Sequence, residues 1–574
     1  MLEKINSPKD LKKLNINELN ELANEIREVL LNKILKVGGH LGPNLGVIEL
    51  TIALHYIFNS PTDKIVFDVS HQTYTHKILT NRKQYFLNKD LFTKVSGFST
   101  PKESEHDLFK IGHTSTSVSL ALGLAKARDL KNEKYNVISI IGDGSLSGGE
   151  AFEGLDNASL LKSNFIIIVN DNEMSISTNV GGLYENLAKL RETNGTYQNN
   201  FFKSLGYDYL YLEEGNNINK LVEVLNKVKD INHPIVLHIH TLKGNGYQEA
   251  ILNKEKYHFI NGKNTPRQVM IPDVTKNYLI DRFNKQKDFV VVNAATPGAC
   301  GIDNEFKDIF KEHFIDVGIC EQHAVSLISG LAKNNLHPIF LVMANFLQRS
   351  YDQLNQDLAL NDLKATIVLF NARINGGDAT HVGMFDIAML SNIPNLTLLA
   401  PTNVKEYLEM LEFSFNFNHP VIIRAPIEVN LEETNYSFNQ DNYLKYQINH
   451  QGSEVALIAL GSMMLKAKEV VKELNKYDIN PTLINPRIYS VLDEKTLSSL
   501  IKNHQLVVTF EDGILEGGFG EKIASFYGNK NMKVISFGAK KDFNDLKSLE
   551  EINNLNHLNV KDIVNDILNN LKKA

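Results

Sequence analysis

At 574 residues, with 43% hydrophobic and 22% charged side chains, the chain is long enough to bury several separate cores. A formal net charge of −7 excludes broad electrostatic binding to nucleic acid or to an anionic membrane surface, leaving only local basic patches. Two cysteines, Cys300 and Cys320, cannot form a disulfide framework in a chain of this length and read as reduced thiols of a cytoplasmic protein.

The N-terminal stretch MLEKINSPKDLKKLNINELNELANEI is charged and helical in pattern, without the apolar centre of a signal peptide. No stretch approaches the roughly 18 uninterrupted apolar residues of a membrane span. In the first half, KIVFDV, NVISIIGDG, NFIIIVND and PIVLHIHT read as buried parallel strands, with helical patterns such as Ser117 to Leu130 between them. Around residues 265–285 the pattern loosens. A second series begins with DFVVVNAATPG and continues through HPIFLVM, KATIVLFN, NLTLLAP and HPVIIRAP. The polar stretch 427–452 reads as a linker, and a third series follows with EVALIALGS, PTLINP, LVVTFED and KVISFG. The expectation is an α/β chain of three consecutive domains with mainly parallel sheets, over residues 1–275, 285–430 and 450–574.

The segment IGDGSLSGGEAFEGLDNASLLKSNFIIIVNDNEMSIS carries the first chemical signal. A strand ending in Gly142-Asp143-Gly144 puts a carboxylate at a sheet's carboxyl edge, where ligands bind in open α/β folds. The flanking glycines let backbone approach phosphate oxygens. Asn172 follows one helix and one strand later, a spacing that returns its amide oxygen to the same edge. Gly-Asp-Gly alone is also an ordinary tight turn. Paired with Asn-Asp-Asn, it predicts a hard cation such as Mg²⁺ clamping a diphosphate.

That element resembles the thiamin-diphosphate motif of the transketolase superfamily. NDNEMSIS followed by NVGGL is similar to the 1-deoxy-D-xylulose-5-phosphate synthases within it, as are GGHLGPNLGVIELTIALHYIF, FDVSHQTYTHKILTNR, GHTSTSVSLALGLA, and DVGICEQHAV with FLQRSYDQ. The C-terminal third resembles that family mainly in plan. The resemblance implies a transketolase-like fold: two thiamin-diphosphate-binding domains, then a C-terminal transketolase-type domain. It also implies a homodimer, with the cofactor between the first two domains.

For the site, the resemblance makes Glu321 the carboxylate that hydrogen-bonds the aminopyrimidine ring of thiamin diphosphate. It makes Phe346 the aromatic stacked on that ring, and His40, His71 and His381 catalytic histidines. Asp143, Asn172 and the Met174 carbonyl would hold Mg²⁺. Gly112, His113, Ser115, Gly142, Gly144, Ser145 and Lys243 would complete the cofactor contacts. Arg349, Arg373, Asp378 and His258 would face the substrates, pyruvate and D-glyceraldehyde 3-phosphate.

The departures fall on the acceptor side. The arginine of a Tyr-Pro-Arg-Gly segment becomes Ile427, with Arg424 three residues away. The tyrosine six residues before Arg349 becomes Met343, and the loop before His381 is shortened. Losing a charge-assisted contact to phosphate removes about 1.5–3 kcal/mol. The implied activity is therefore synthesis of 1-deoxy-D-xylulose 5-phosphate. The alternatives are two-carbon transfer as in transketolase, pyruvate-derived acyl transfer to another aldehyde, or a catalytically silent paralogue.

Overall fold

The computed structural model describes residues 1–261, 270–426, 430–431 and 436–572. The chain divides into two compact units, residues 1–267 with 318–320 and residues 268–317 with 321–574.

The first unit is built on five strands: β1 (Lys64–Phe67), β2 (Val137–Gly142), β3 (Phe165–Asp171), β4 (Asp208–Leu212) and β5 (Pro234–His240). Their order is β1-β2-β3-β5-β4, with every neighbouring pair parallel. All of β3 is buried, as expected for a parallel strand covered on both faces. Alternate side chains go to opposite cores: Ile167 and Val169 pack with Leu155, while Ile166 and Ile168 pack with Leu225. The helix Ser117–Leu130 spans the predicted residues. The long helix Ile16–Val37 starts from a reciprocal cap, in which Asn15 Oδ1 accepts from Glu18 N and Glu18 Oε2 accepts from Asn15 N. A two-residue antiparallel ladder pairs Gly39 with Ile260.

The second unit carries two sheets. One contains β6 (Phe289–Asn293), β7 (Phe314–Asp316), β8 (His337–Met343), β9 (Thr366–Phe370), β10 (Thr397–Leu399) and β11 (Val421–Ala425), all parallel, in the order β10-β11-β9-β8-β6-β7. The other contains β12 (Gln447–His450), β13 (Glu454–Ala459), β14 (Thr482–Asn485), β15 (His504–Ile514) and β16 (Lys533–Ala539), in the order β12-β14-β13-β15-β16. Only the β12–β14 pairing is antiparallel. The three α/β series of the sequence are thus three sheets, mainly parallel.

Two expectations need correction. The loosened pattern at 265–285 hides the helix Ile271–Lys285, whose Thr275, Leu279 and Phe283 are buried at four-residue spacing. Ile271 and Pro272 at its start complete the five buried residues, and the helical period is drowned by the polar neighbours between them. The stretch 427–452 is not simply a linker. Phe438 and Tyr446 are buried, and β12 is an edge strand with an irregular register between Ile448 and His450. A short, half-exposed edge strand shows little apolar alternation. Residues 427–429 and 432–435, Ile427 included, lie outside the described residues. No described helix is long and apolar enough to cross a membrane.

Candidate cofactor site

In the first unit β2 and β3 run side by side, with Gly142 opposite Asn170. Asp143 and Asn172 therefore leave the sheet at the same carboxyl edge, where the Asn172 backbone N–H favours the charged form of Asp143. Asp143 is 1% exposed, and Asn179 Nδ2 donates to its Oδ2 at 2.6 Å. Burial pushes the Asp143 carboxyl up, the charge of Asp171 adds to this, and the Asn179 hydrogen bond and Lys243 oppose it. Burial would also raise Asp171. However, His238 Nε2 at 2.9 Å and Arg191 at 2.5 Å contact its Oδ2, and together they hold it below the usual carboxylate range.

The Asn172 Oδ1 atom is buried and has no hydrogen-bond partner. A buried acceptor left open beside a buried carboxylate is what an oxygen-ligated cation satisfies. No group of three or more His, Cys, Asp and Glu side chains is placed to hold a metal among the described residues. An ion bound here would complete its shell from backbone, water or ligand oxygens, a composition that suits Mg²⁺. Met174 pairs with Thr178 in an isolated bridge just beyond this edge.

The two glycines serve different ends. A Cβ on Gly142 would meet nothing within 4 Å, so the space beside it is open. A Cβ on Gly144 would lie 2.4 Å from the Ser175 Cβ, so packing by itself already requires a glycine here. Tyr184 donates its hydroxyl to the carbonyls of Asp143 or Gly144, at 3.2 and 3.3 Å, and braces the turn.

The loop carrying Gly112 and His113 leads into the helix Ser117–Leu130, and the Asp68 carboxylate pins its end. Asp68 Oδ1 accepts from Ser115 N at 2.9 Å and Oδ2 from Ser117 N at 3.0 Å. Ser115 sits at a φ of +78°, and its Oγ donates to the Ser145 carbonyl at 2.8 Å. Predicted residues 112–115 and 142–145 are thereby brought together.

The histidines also converge. Ring centroids of His40 and His71 lie 4.9 Å apart, His71 and His258 5.3 Å, and His40 and His258 5.7 Å. The ladder at Gly39 and Ile260 brings the chain ends carrying His40 and His258 side by side. Lys243, 2% exposed, donates from Nζ to the Ser175 carbonyl at 2.6 Å and to His258 Nδ1 at 3.1 Å. Burial pushes Lys243 down to about 8, against the pull of Asp143. Burial and the neighbouring cations hold His258 well below the ordinary histidine value. A neutral His258 accepting at Nδ1 carries its proton on Nε2.

In the second unit Glu321 opens the helix Glu321–Lys333 and is 2% exposed. Burial raises its carboxyl, with the Arg349 charge opposing; Arg349 Nη1 lies 3.4 Å from Glu321 Oε2. Phe346 stands edge-on to His381, with ring centroids 5.7 Å apart. His381 is oriented by Thr380 Oγ1 at 2.8 Å from Nδ1, and Thr380 is held by Asp378 through its N–H and its hydroxyl. Burial keeps His381 below the ordinary histidine value.

Arg373 lines a cavity with Lys466 and Asp512, whereas Arg424 is committed elsewhere. It pairs with Asp386 at 2.7 Å through Nε and donates to the Asp512 carbonyl, and both side chains of the pair are 1% exposed. Met343 ends β8 half-buried. Sequence reasoning missed Asp68, Asn179, Asp171, His238 and Arg191. Asn179, Asp171 and Asp68 lie within the family-like segments NVGGL, NDNEMSIS and FDVSHQTYTHKILTNR, whereas His238 and Arg191 had no such signal.

These sheets and side chains define a transketolase-type α/β enzyme, a transferase. Residues 268–429 match the transketolase pyrimidine-binding domain, and residues 444–541 match the transketolase C-terminal domain. Residues 2–199 and 193–241 match the 1-deoxy-D-xylulose-5-phosphate synthase family. The chain is 38% identical to the 1-deoxy-D-xylulose-5-phosphate synthase of Dictyoglomus turgidum, covering 100% of both chains. It is 39% identical to that of Alkaliphilus oremlandii, over 90% of each, and 39% to that of Lachnoclostridium phytofermentans, over 92% of this chain and 91% of the relative. The chain belongs to the 1-deoxy-D-xylulose-5-phosphate synthase family.

Proposed function

We propose that the protein joins pyruvate to D-glyceraldehyde 3-phosphate, releasing carbon dioxide and forming 1-deoxy-D-xylulose 5-phosphate, with thiamin diphosphate and Mg²⁺ as cofactors. The observation that carries this reading is the buried, partnerless Asn172 Oδ1 beside the buried Asp143, an oxygen site of the kind that a metal-bound diphosphate needs. Thiamin diphosphate, when bound, supplies the nucleophilic carbon and electron sink for decarboxylating a 2-oxo acid.

The chain's own residues do the rest. Asp143, Asn172 and the Met174 carbonyl hold the cation. Gly112, His113, Ser115, Gly142, Gly144, Ser145, His71 and Lys243 hold the diphosphate end and its surroundings. Glu321 shares a proton with a ring nitrogen, a role that burial favours by raising its carboxyl above the ordinary carboxylate range, with Arg349 opposing. Phe346 supplies the stacking face. His40, His71 and His381 move protons at the substrate carbonyl and hydroxyl oxygens, and His258 donates from Nε2. Arg349, Arg373 and Asp378 orient the substrates. The protein acts as a cytoplasmic homodimer, which light scattering on the purified chain would check.

Incubation with pyruvate, thiamin diphosphate and Mg²⁺ tests the reading directly. D-glyceraldehyde 3-phosphate should stimulate carbon dioxide release and yield a 1-deoxypentulose phosphate. Glu321→Gln should lower turnover at least about 100-fold while cofactor still binds, the scale of a lost proton-transfer group. No carbon dioxide release from pyruvate by cofactor-loaded protein would overturn the reading. The departures at Met343 and Ile427 favour a second reading, in which another aldehyde is the acceptor. In that case carbon dioxide is released without stimulation by D-glyceraldehyde 3-phosphate.

A further inference from the structure

Within the second unit a cavity of about 370 Å³ opens at the carboxyl ends of β9, β10 and β11, lined among others by Arg373, Thr402, Pro426, Ser462, Lys466 and Asp512. Two of these are cations from different layers: Arg373 follows β9, and Lys466 lies in the first turn of the helix Met463–Asn475 that follows β13. Asp512 ties the two together. Its Oδ1 accepts from Ile374 N at 2.7 Å, next to Arg373, and its Oδ2 accepts from Ser462 Oγ at 2.6 Å, the N-cap of the Lys466 helix. Both carboxylate oxygens are thus occupied in holding the walls.

Lys466 is half-buried and makes no hydrogen bond or ion pair among the described residues. Burial lowers it, with the charges of Asp512 and of Glu469 at the rim opposing. A half-buried ammonium without a contact partner, lining a cavity beside a second cation, Arg373, is a ready anion ligand. The other arginines of this unit near the proposed chemistry are engaged: Arg424 with Asp386 and the Asp512 carbonyl, Arg349 with Glu321.

We propose that this cavity takes the phosphate of the aldehyde acceptor, with Lys466 as its principal cation beside Arg373. The proposal rests on the function proposed above for the substrate's identity, but the binding site itself is defined by the cavity. Lys466 is then a specificity residue: it selects a phosphorylated acceptor over the same aldehyde without phosphate.

The test compares wild type, Lys466→Met and Lys466→Arg. In wild type, kcat/KM should favour D-glyceraldehyde 3-phosphate over D-glyceraldehyde. That ratio should fall about 10-fold or more in Lys466→Met and recover in Lys466→Arg, as expected for one charge-assisted contact. In parallel, calorimetric titration with glycerol 3-phosphate should show a matching loss of affinity in Lys466→Met. An unchanged ratio, or a wild-type preference that Lys466→Arg does not restore, overturns the proposal. If wild type makes no 1-deoxypentulose phosphate, the reading of function fails and the titration alone decides the site. Equal glycerol 3-phosphate affinity in wild type and Lys466→Met, or no binding to either, then overturns it. Thermal midpoints of both variants, measured alongside, separate lost binding from lost fold.

Discussion

Asn179 Nδ2 donates to Asp143 Oδ2 at 2.6 Å, so one carboxylate oxygen at the end of β2 is held by a side chain 36 residues further along the chain. This contact orients a buried acid whose second oxygen is left for other partners. Charge-assisted hydrogen bonds of this kind are worth about 1.5–3 kcal/mol. Asn179→Leu should therefore weaken Mg²⁺-dependent binding of thiamin diphosphate roughly 10- to 100-fold while leaving the fold intact. The chain has no tryptophan, so calorimetric titration is the suitable readout. Unchanged affinity would remove Asn179 from the site.

The two glycines around Asp143 should respond differently to a methyl group. Gly144→Ala forces a Cβ to within 2.4 Å of the Ser175 Cβ and 2.9 Å of its Cα, so backbone must move. The expected cost is about 1–3 kcal/mol of stability, read as a lower thermal midpoint of the cofactor-free protein. Gly142→Ala, with nothing within 4 Å, should leave that midpoint unchanged.

Arg424 serves as a structural ion-pair partner rather than a substrate anchor. Arg424→Met leaves the Asp386 carboxylate buried and unpaired, which should cost about 3–5 kcal/mol in denaturant unfolding. Replacing both partners, as Arg424→Met with Asp386→Leu, should recover most of that loss. The acceptor KM of the double variant should match wild type. A rise confined to that KM would reinstate Arg424 as an anchor.

Glu511 sets a pH dependence away from the cofactor site. Its side chain is fully buried and accepts from Phe519 N and Gly520 N at 2.8 Å each, yet burial outweighs both and pushes it up to about 7. A raised folded pKa gives stability that is complete below the ordinary value of 4.5 and is lost as pH rises through about 7. Wild type should therefore lose stability relative to Glu511→Gln between pH 5 and 8, by on the order of 3 kcal/mol. Glutamine also forfeits one of the two amide contacts, so the diagnostic is the slope with pH and not the offset. Parallel stability curves for the two proteins would contradict the assignment.

Much of the architecture was legible in the residues themselves. Fully apolar runs such as NFIIIVND become the parallel strand β3, because a strand covered on both faces has no polar side to interrupt it. The extent of the helix Ser117–Leu130 follows from local periodicity in the same way. The helix Ile271–Lys285 and the edge strand Gln447–His450 were not legible. Each buries too few side chains to impose a period on its own sequence.

By itself the sequence determined the three α/β series, the placing of Asp143 and Asn172 at adjacent strand ends, and the family. These depend on short-range pattern and on long matched segments. Only the tertiary structure decided which polar atoms are already satisfied. It left Asn172 Oδ1 open, turned Arg424 inward onto Asp386, drew His258 beside His40 and His71, and set Lys466 in a cavity with Arg373. A side chain's partners are chosen by what the fold brings within about 3 Å of it, often from hundreds of residues away, and no local pattern encodes that choice.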